Sequence, residues 1–226
     1  MALKDDRAAM ASALKTGARG RKLHAGLDWL GDTTDALFYY TANRIAKAYE
    51  EDGRLRLFRW VKSKPMVVDS MQWVTLFPDN PMGGAVKRIG LRQNGAFSVP
   101  GLILKHGPYH FTPGDDPDEW AGLVLDEFQS DAAAYRAEFP AASAFLSAID
   151  AQDRDRPDLP WRHALLRLYT LVASGNPNAA GMLAHEGVAA HQREFSVAGT
   201  TVWELLARHY DDRTGIFAPH YVPQIP

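Results

Sequence analysis

The chain contains no cysteine among its 226 residues. A disulfide framework, a thiolate zinc site and a thiol nucleophile are therefore excluded. No apolar run approaches the roughly 18 residues that a membrane-spanning helix needs, so no membrane partner is expected. The first ten residues include Lys4, Asp5, Asp6 and Arg7, and no apolar segment follows them. We therefore expect no secretory signal and a cytoplasmic location.

Several catalytic motifs are missing as well. The sequence has no Gly-x-Ser-x-Gly elbow, no phosphate-binding loop motif and no dinucleotide fingerprint, so serine hydrolases and common nucleotide-binding enzymes lack support. His185 and His191 are six residues apart. Zinc-protease helices need two histidines four residues apart, on one helix face, so this class is also excluded.

What the sequence does have is an uneven distribution of charge. The whole chain carries 25 Lys+Arg against 27 Asp+Glu, whereas residues 1–112 carry 17 against 10 and residues 113–226 carry 8 against 17. We predict a basic region over 1–112 and an acidic helical region over 113–226, packed together as one unit. Such a chain can hold its halves together electrostatically, and it can present a basic face to phosphates and an acidic face to a basic protein. A solvated acidic helix surface is the plainer explanation.

The first half mixes helical and strand patterns. A short helix is predicted over 5–14, a flexible basic segment over 16–22, and a longer helix over 35–51, where apolar residues recur every three or four positions. Alternation and β-rich composition then predict a meander of short strands. These strands are predicted at residues 54–61, 66–68, 72–77, 86–91, 96–99 and 102–105.

Helical periodicity dominates the second half. Acidic residues and Pro117 open a helix after Pro113, and Pro140 separates it from a second helix over 141–151. Further helices are predicted over 161–173 and 179–190, and Thr200 or Thr201 caps a last one. The predicted class is α+β: an N-terminal helix and a small antiparallel β meander, followed by an all-helical C-terminal half.

One strand pattern suggests a binding surface. If residues 54–64 form a strand, six alternate side chains share one face, and we call this set the basic aromatic face. Cations neutralise phosphates and aromatic rings stack on unpaired bases, so the pattern predicts nucleic-acid binding. A half-exposed strand with its rings under a helix is the alternative. The basic aromatic face consists of Arg54, Arg56, Phe58, Trp60, Lys62 and Lys64.

A second pattern suggests a metal site. His106 and His110 flank Gly107-Pro108, and a bend there would bring the two imidazoles together with Asp115 as a carboxylate ligand. Such a site could activate water for hydrolysis. The plainer interpretation is a turn whose histidines form local hydrogen bonds and whose acids cap the next helix.

These patterns favour a non-enzymatic regulatory or interaction protein of bacterial type, acting on a nucleic-acid-handling or protein assembly. The basic aromatic face would bind nucleic acid, the acidic helices would bind a basic protein surface, and no cofactor is expected. The alternative is a metal-assisted hydrolase, for example of phosphodiesters, in which His106 and His110 hold a divalent ion and Lys105 or Arg88 stabilises the developing charge. A purely structural helical interaction module is a third possibility.

Overall fold

A computed structural model describes residues 2–21, 23–25, 29–32, 37–45, 55–65, 67–77, 99, 101–111, 115–159, 161–194 and 196–222. The fold is α+β, as predicted. The predicted strands at 86–91 and, except for Val99, at 96–99 lie outside the described residues. No helix among the described residues is long and apolar enough to cross a membrane.

The elements follow one another along the chain as helices and strands of very different length. In chain order they are α1 (Ala2–Gly20), β1 (His24–Ala25), β2 (Trp29–Asp32), β3 (Leu37–Ile45), β4 (Leu55–Pro65), α2 (Val67–Leu76), β5 (Leu102–Phe111), α3 (Pro117–Glu138), α4 (Ala142–Asp155), α5 (Ala164–Ala173), α6 (Pro177–Ala189), β6 (Ser196–Val197), β7 (Thr200–Thr201), α7 (Val202–Asp211) and a 3₁₀ turn (Gly215–Phe217).

The chain divides into two compact units that do not follow the boundary between residues 112 and 113. The first unit comprises Met1–Ser63 and Ile103–Pro140, and the second comprises Lys64–Leu102 and Ala141–Pro226. The acidic helix α3 belongs with the basic N-terminal region because it packs against α1 and β3. The uneven charge therefore nearly cancels within each unit. The first carries 14 Lys+Arg against 16 Asp+Glu, and the second carries 11 against 11.

The first unit is built on a five-stranded sheet with the order β1-β2-β3-β4-β5. Strands β1 and β2 pair antiparallel, as do β2 and β3, where Trp29 lies opposite Ala42. The helix predicted over 35–51 is wrong, because Leu37–Ile45 forms β3. Its first five residues, Leu-Phe-Tyr-Tyr-Thr, are rich in the aromatic and β-branched types that fit a pleated sheet, and this preference outweighs the apparent helical spacing.

Helix α1 is longer than predicted and packs against α3. The flexible segment predicted over 16–22 is wrong, since the helix continues through Gly20 and buries Ala18. Gly17 allows the close approach: a Cβ built there would lie 2.7 Å from the Cδ1 atom of Leu125 on α3. The glycine that looks like a helix breaker in the sequence is thus part of a helix–helix contact.

The predicted start of α3, with acidic residues and Pro117 in its first turn, is confirmed. The carboxylate of Asp116 accepts a 2.9 Å hydrogen bond from the Asp118 N–H, and Pro117 occupies the first turn. The helical spacing of Trp120, Leu123 and Phe128 predicts one buried stripe. Trp120 and Phe128 are buried, but Leu123 is 67% exposed. The buried stripe of α3 instead includes Leu125, which faces α1.

The second unit is mainly helical. The β-rich runs predicted at 66–68 and 72–77 are wrong, because Val67–Leu76 forms α2. Val68, Met71 and Thr75 recur every three or four residues and are all fully buried, which is the helical period in a core element. Helix α2 packs on α5 and α7. The prediction of an all-helical C-terminal half misses the short antiparallel hairpin β6–β7.

Helices α5 to α7 share one way of ending. Each is followed by a residue with a left-handed backbone: Gly175 (φ 77°), His191 (φ 54°) and Arg213 (φ 53°). In each case two backbone N–H groups bond back to the last turn, as in the Schellman motif. After α6, for example, Gln192 N–H bonds to Gly187 C=O at 3.0 Å and His191 N–H to Val188 C=O at 3.0 Å.

Aromatic side chains fill the core of the second unit. Trp203, on α7, is fully buried and meets Trp161 edge-on at 5.5 Å between ring centroids. Gly187 on α6 leaves room for this ring, because a Cβ at residue 187 would overlap it. The indole N–H of Trp203 donates to the carboxylate of Glu194. The buried ring thereby satisfies its one polar group.

Candidate nucleic-acid interface and other charged sites

The predicted strand of the basic aromatic face is confirmed. Residues Leu55–Pro65 form β4, which lies between β3 and β5 in the sheet order. Leu55, Leu57 and Val61 alternate with polar and aromatic positions, and this alternation predicts the strand. Alternate residues of an extended strand lie about 6.6 Å apart along the backbone.

The six residues of the face have different outcomes. Arg54 lies outside the described residues, and the side chains of Arg56, Phe58 and Trp60 are likewise outside the description, so their predicted contacts stay predictions. Lys62 is half-buried. Lys64 is only 1% exposed, and its ammonium group donates a 3.1 Å hydrogen bond to the carbonyl of Val99. The prediction that Lys64 stands exposed for a partner is therefore wrong.

The bend predicted within the metal site is also wrong. Strand β5 runs without interruption from Leu102 to Phe111, through Gly107-Pro108. Residues four apart in a strand lie about 13 Å from Cα to Cα, so the backbone does not bring His106 and His110 together as the site requires. Asp115 is exposed, just before α3. Among the side chains that the structure describes, no three His, Asp or Glu residues are grouped to hold a metal ion.

Lys105 is predicted to stabilise charge in a hydrolase, but its ammonium group pairs with two carboxylates of α3. Its ammonium group donates to Glu127 at 2.8 Å and to Asp131 at 3.1 Å, both on α3. The hydrogen bond to Glu127 is the main reason that the pKa of Lys105 rises to about 12. Lys105 is thus a link between β5 and α3 in the first unit.

The acidic face of α3 is partly neutralised by the same unit. Besides the Lys105 pairs, the guanidinium of Arg21 contacts Asp126 and donates a 3.0 Å hydrogen bond to Gln129. Arg21 belongs to the segment over 16–22 that is predicted to be flexible and basic. The ion pair instead ties the end of α1 to α3, so the electrostatic attraction predicted between the basic and acidic regions is realised inside one unit.

The second unit contains a half-buried ionic cluster that no sequence pattern indicates. The Nδ1 atom of His163 lies 2.7 Å from Asp153, and Arg167 contacts Asp150 and lies 2.8 Å from the other oxygen of Asp153. Burial is the main cause that lowers the pKa of His163, against the opposing effect of Asp153. The cluster joins α4 to α5 by charge-assisted hydrogen bonds and has a structural role.

A groove of about 580 Å³ is the other feature that sequence reasoning misses. It lies in the second unit, among the end of α6, residues 191–193, the β6–β7 hairpin and the first turn of α7, and its lining includes His191, Arg193 and Glu204. The sequence does signal one wall, since Thr201 followed by Glu204 is a capping-box pattern. Nothing in the sequence signals that the residues after α6 fold back beside it.

Comparison with protein-family models, with curated proteins and with solved structures finds no match to this chain.

Proposed function

We propose that the protein is a non-enzymatic regulatory or interaction protein of the cytoplasm that binds single-stranded nucleic acid through β4. The observation that carries the proposal is the confirmed strand Leu55–Pro65, because only an extended backbone gives the alternating cations and rings a common face. Burial of Lys64 reduces the proposed contact set to Arg56, Phe58, Trp60 and Lys62, with Arg54 as an addition at the start of the strand.

The proposed contacts divide into two kinds. Arg56 and Lys62 would neutralise phosphates, and this contribution is independent of sequence and weakens with salt. Phe58 and Trp60 are two positions apart, so their rings would stack on neighbouring bases, a contact that contributes about 1–3 kcal/mol per base. Stacking requires unpaired bases, which is why a single strand is the proposed ligand.

A second surface would bind a basic protein. Within α3, Glu127 and Asp131 already pair with Lys105, and Asp126 pairs with Arg21. Asp118 and Glu119, in the exposed first turn of the helix, are therefore the acids that we assign to this contact. Charge complementarity of this kind mainly speeds association and selects partners.

The test is a titration of fluorescently labelled single-stranded and duplex oligonucleotides with the full chain, over a series of salt concentrations. We expect single strands to bind more tightly, and Trp60→Ala to weaken binding about tenfold. Arg56→Gln should also reduce the steepness of the salt dependence by about 0.7, the value for one phosphate contact on a single strand.

Arg59→Gln is the matched control, because residue 59 occupies the alternate position of the same strand and the substitution removes the same charge. It should leave affinity and salt dependence close to those of the unaltered chain. Absence of binding at low salt would overturn the proposal, and so would equal losses from Arg56→Gln and Arg59→Gln.

A further inference from the structure

The groove beside the β6–β7 hairpin has the dimensions of a small-molecule site. Its volume of about 580 Å³ falls within the range of roughly 300–1,000 Å³ that is typical of ligand pockets. Its lining is mostly polar and includes His191, Arg193, Ser196 and Glu204. The chemistry of these groups, more than shape, would decide what the groove binds.

Two local motifs hold the walls of the groove in place. On one side, the Schellman hydrogen bonds of Gln192 and His191 fix the chain immediately after α6. On the other side, Thr201 and Glu204 form a complete capping box, in which Glu204 accepts from the Thr201 N–H at 2.7 Å and from its hydroxyl at 2.9 Å. The Glu204 carboxylate is thus held in a defined position before any ligand arrives, which reduces the entropic cost of binding.

The two charges in the lining do not neutralise each other directly. Arg193 acts on the Glu204 carboxyl through its charge and forms no hydrogen bond with it among the described residues. The Thr201 N–H is the main cause that lowers the pKa of the Glu204 carboxyl, and the positive charges of Arg208 and then Arg193 lower it further. The groove lining therefore contains a guanidinium that is not hydrogen-bonded to Glu204 and a carboxylate that the capping box fixes.

We propose that this groove binds a small zwitterion, whose carboxylate pairs with Arg193 and whose ammonium group pairs with Glu204. Guanidinium groups bind carboxylates through two parallel hydrogen bonds, and a carboxylate fixed by a capping box still has a free oxygen for an ammonium donor. The ligand class is an amino acid or a short peptide with free termini. The site lies in the second unit and is independent of the proposed nucleic-acid contact on β4.

The experiment is an amide NMR titration of the ¹⁵N-labelled full chain with glycine, diglycine and triglycine, three probes that separate ammonium from carboxylate by increasing distances. We expect at least one probe to give saturable shifts at His191, Gln192, Arg193 and Ser196. N-acetylation of that probe, or amidation of its carboxyl group, should weaken binding about tenfold, because each change removes one charge pair.

The variants Arg193→Gln and Glu204→Gln should each weaken binding of the same probe about tenfold. Glutamine at residue 204 can still complete a capping box, so the second variant keeps the wall while removing the charge. Arg213→Gly is the matched control, since it removes an arginine from the end of α7, outside the groove lining. It should leave the affinity unchanged.

Three results would overturn the proposal: no saturable shift with any of the three probes, equal binding of a blocked probe, or unchanged binding by both glutamine variants. A well-dispersed spectrum in each variant shows that the chain is folded, so weaker binding can be assigned to the lost charge. Failure of the NMR titration leaves the oligonucleotide titration unaffected, because the two experiments alter different units.

Discussion

The two units are stabilised in contrasting ways. In the first, Arg21 pairs with Asp126, which is 105 residues away along the chain. In the second, the ion pairs of the described residues join positions at most 26 apart, as in His185 with Asp211, and the ring of Trp203 is fully buried. A charge imbalance along a sequence can therefore arise because distant segments pair with each other in the fold. It need not mark a surface that binds partners.

The largest expected difference between the units comes from their helix-contact glycines. Gly187→Ala should destabilise the protein by about 3 kcal/mol, because the new methyl group would overlap the fully buried ring of Trp203. Gly17→Ala should cost less than about 1 kcal/mol, since it meets the end of the Leu125 side chain and gains helix propensity. Urea denaturation of both variants measures the two values. Equal losses would show that the two contacts are equally rigid.

A smaller difference is expected from the ion pairs. Arg167→Met should cost about 2 kcal/mol, because it leaves the carboxylate of Asp153, whose side chain is 17% exposed, without its cation. Lys105→Met should cost about 0.5–1 kcal/mol, since Lys105 is nearly half exposed and solvent screens its pairs. Denaturation at low and high salt should show a greater salt effect on the Lys105 loss. If the loss of unfolding free energy in Lys105→Met did not depend on salt, solvent would not be screening the Lys105 ion pairs as we expect.

Acid should affect the second unit through His163. Its folded pKa is lowered by burial, so the unfolded state binds a proton first, and stability falls as pH drops below about 6.5 and through the folded pKa. Asp153 opposes this shift, while Arg162 and Arg167 reinforce it. His163→Asn keeps a donor toward Asp153 and removes the titration. The slope of unfolding free energy against pH should therefore become flatter over this window, and an unchanged slope would assign the acid sensitivity elsewhere.

The smallest expected effects are stabilising. His191→Gly and Arg213→Gly should each raise the unfolding free energy by about 0.5–1 kcal/mol, because glycine adopts the left-handed backbone without the strain of a side chain. Thermal unfolding of the two variants measures the gain. If His191 contributes to ligand binding, only the His191 variant should also weaken the groove shifts in the NMR titration.

The sequence predicts those parts of the fold in which one periodic signal dominates. Strand β4 and the start of α3 fall into this group, because alternation in the first and Asp116-Pro117 in the second have no competing interpretation. Residues 37–45 and 67–76 carry mixed signals, since bulky β-rich residues recur at helical spacing in both. Tertiary packing decides them in opposite directions: the first becomes a strand and the second a buried helix.

The candidate sites were predictable only where local structure defines them. That residues 55–65 form a strand follows from their own sequence, but the burial of Lys64 depends on Val99, 35 residues away. Pairing of Arg21 with Asp126 likewise depends on α1 meeting α3. The groove near residue 191 requires two helix ends and a hairpin to converge, and no pattern within a single element encodes that convergence.

The contact of α1 with α3 has a consequence for biosynthesis. Residues of α1 leave the ribosome about 100 residues before those of α3, and at about 5–20 residues per second that interval is roughly 5–20 s. During this time Met10, Leu14 and Ala18, which are buried in the finished protein, lack the helix that covers them. The apolar side chains of α1 therefore remain without this packing partner until α3 has left the ribosome.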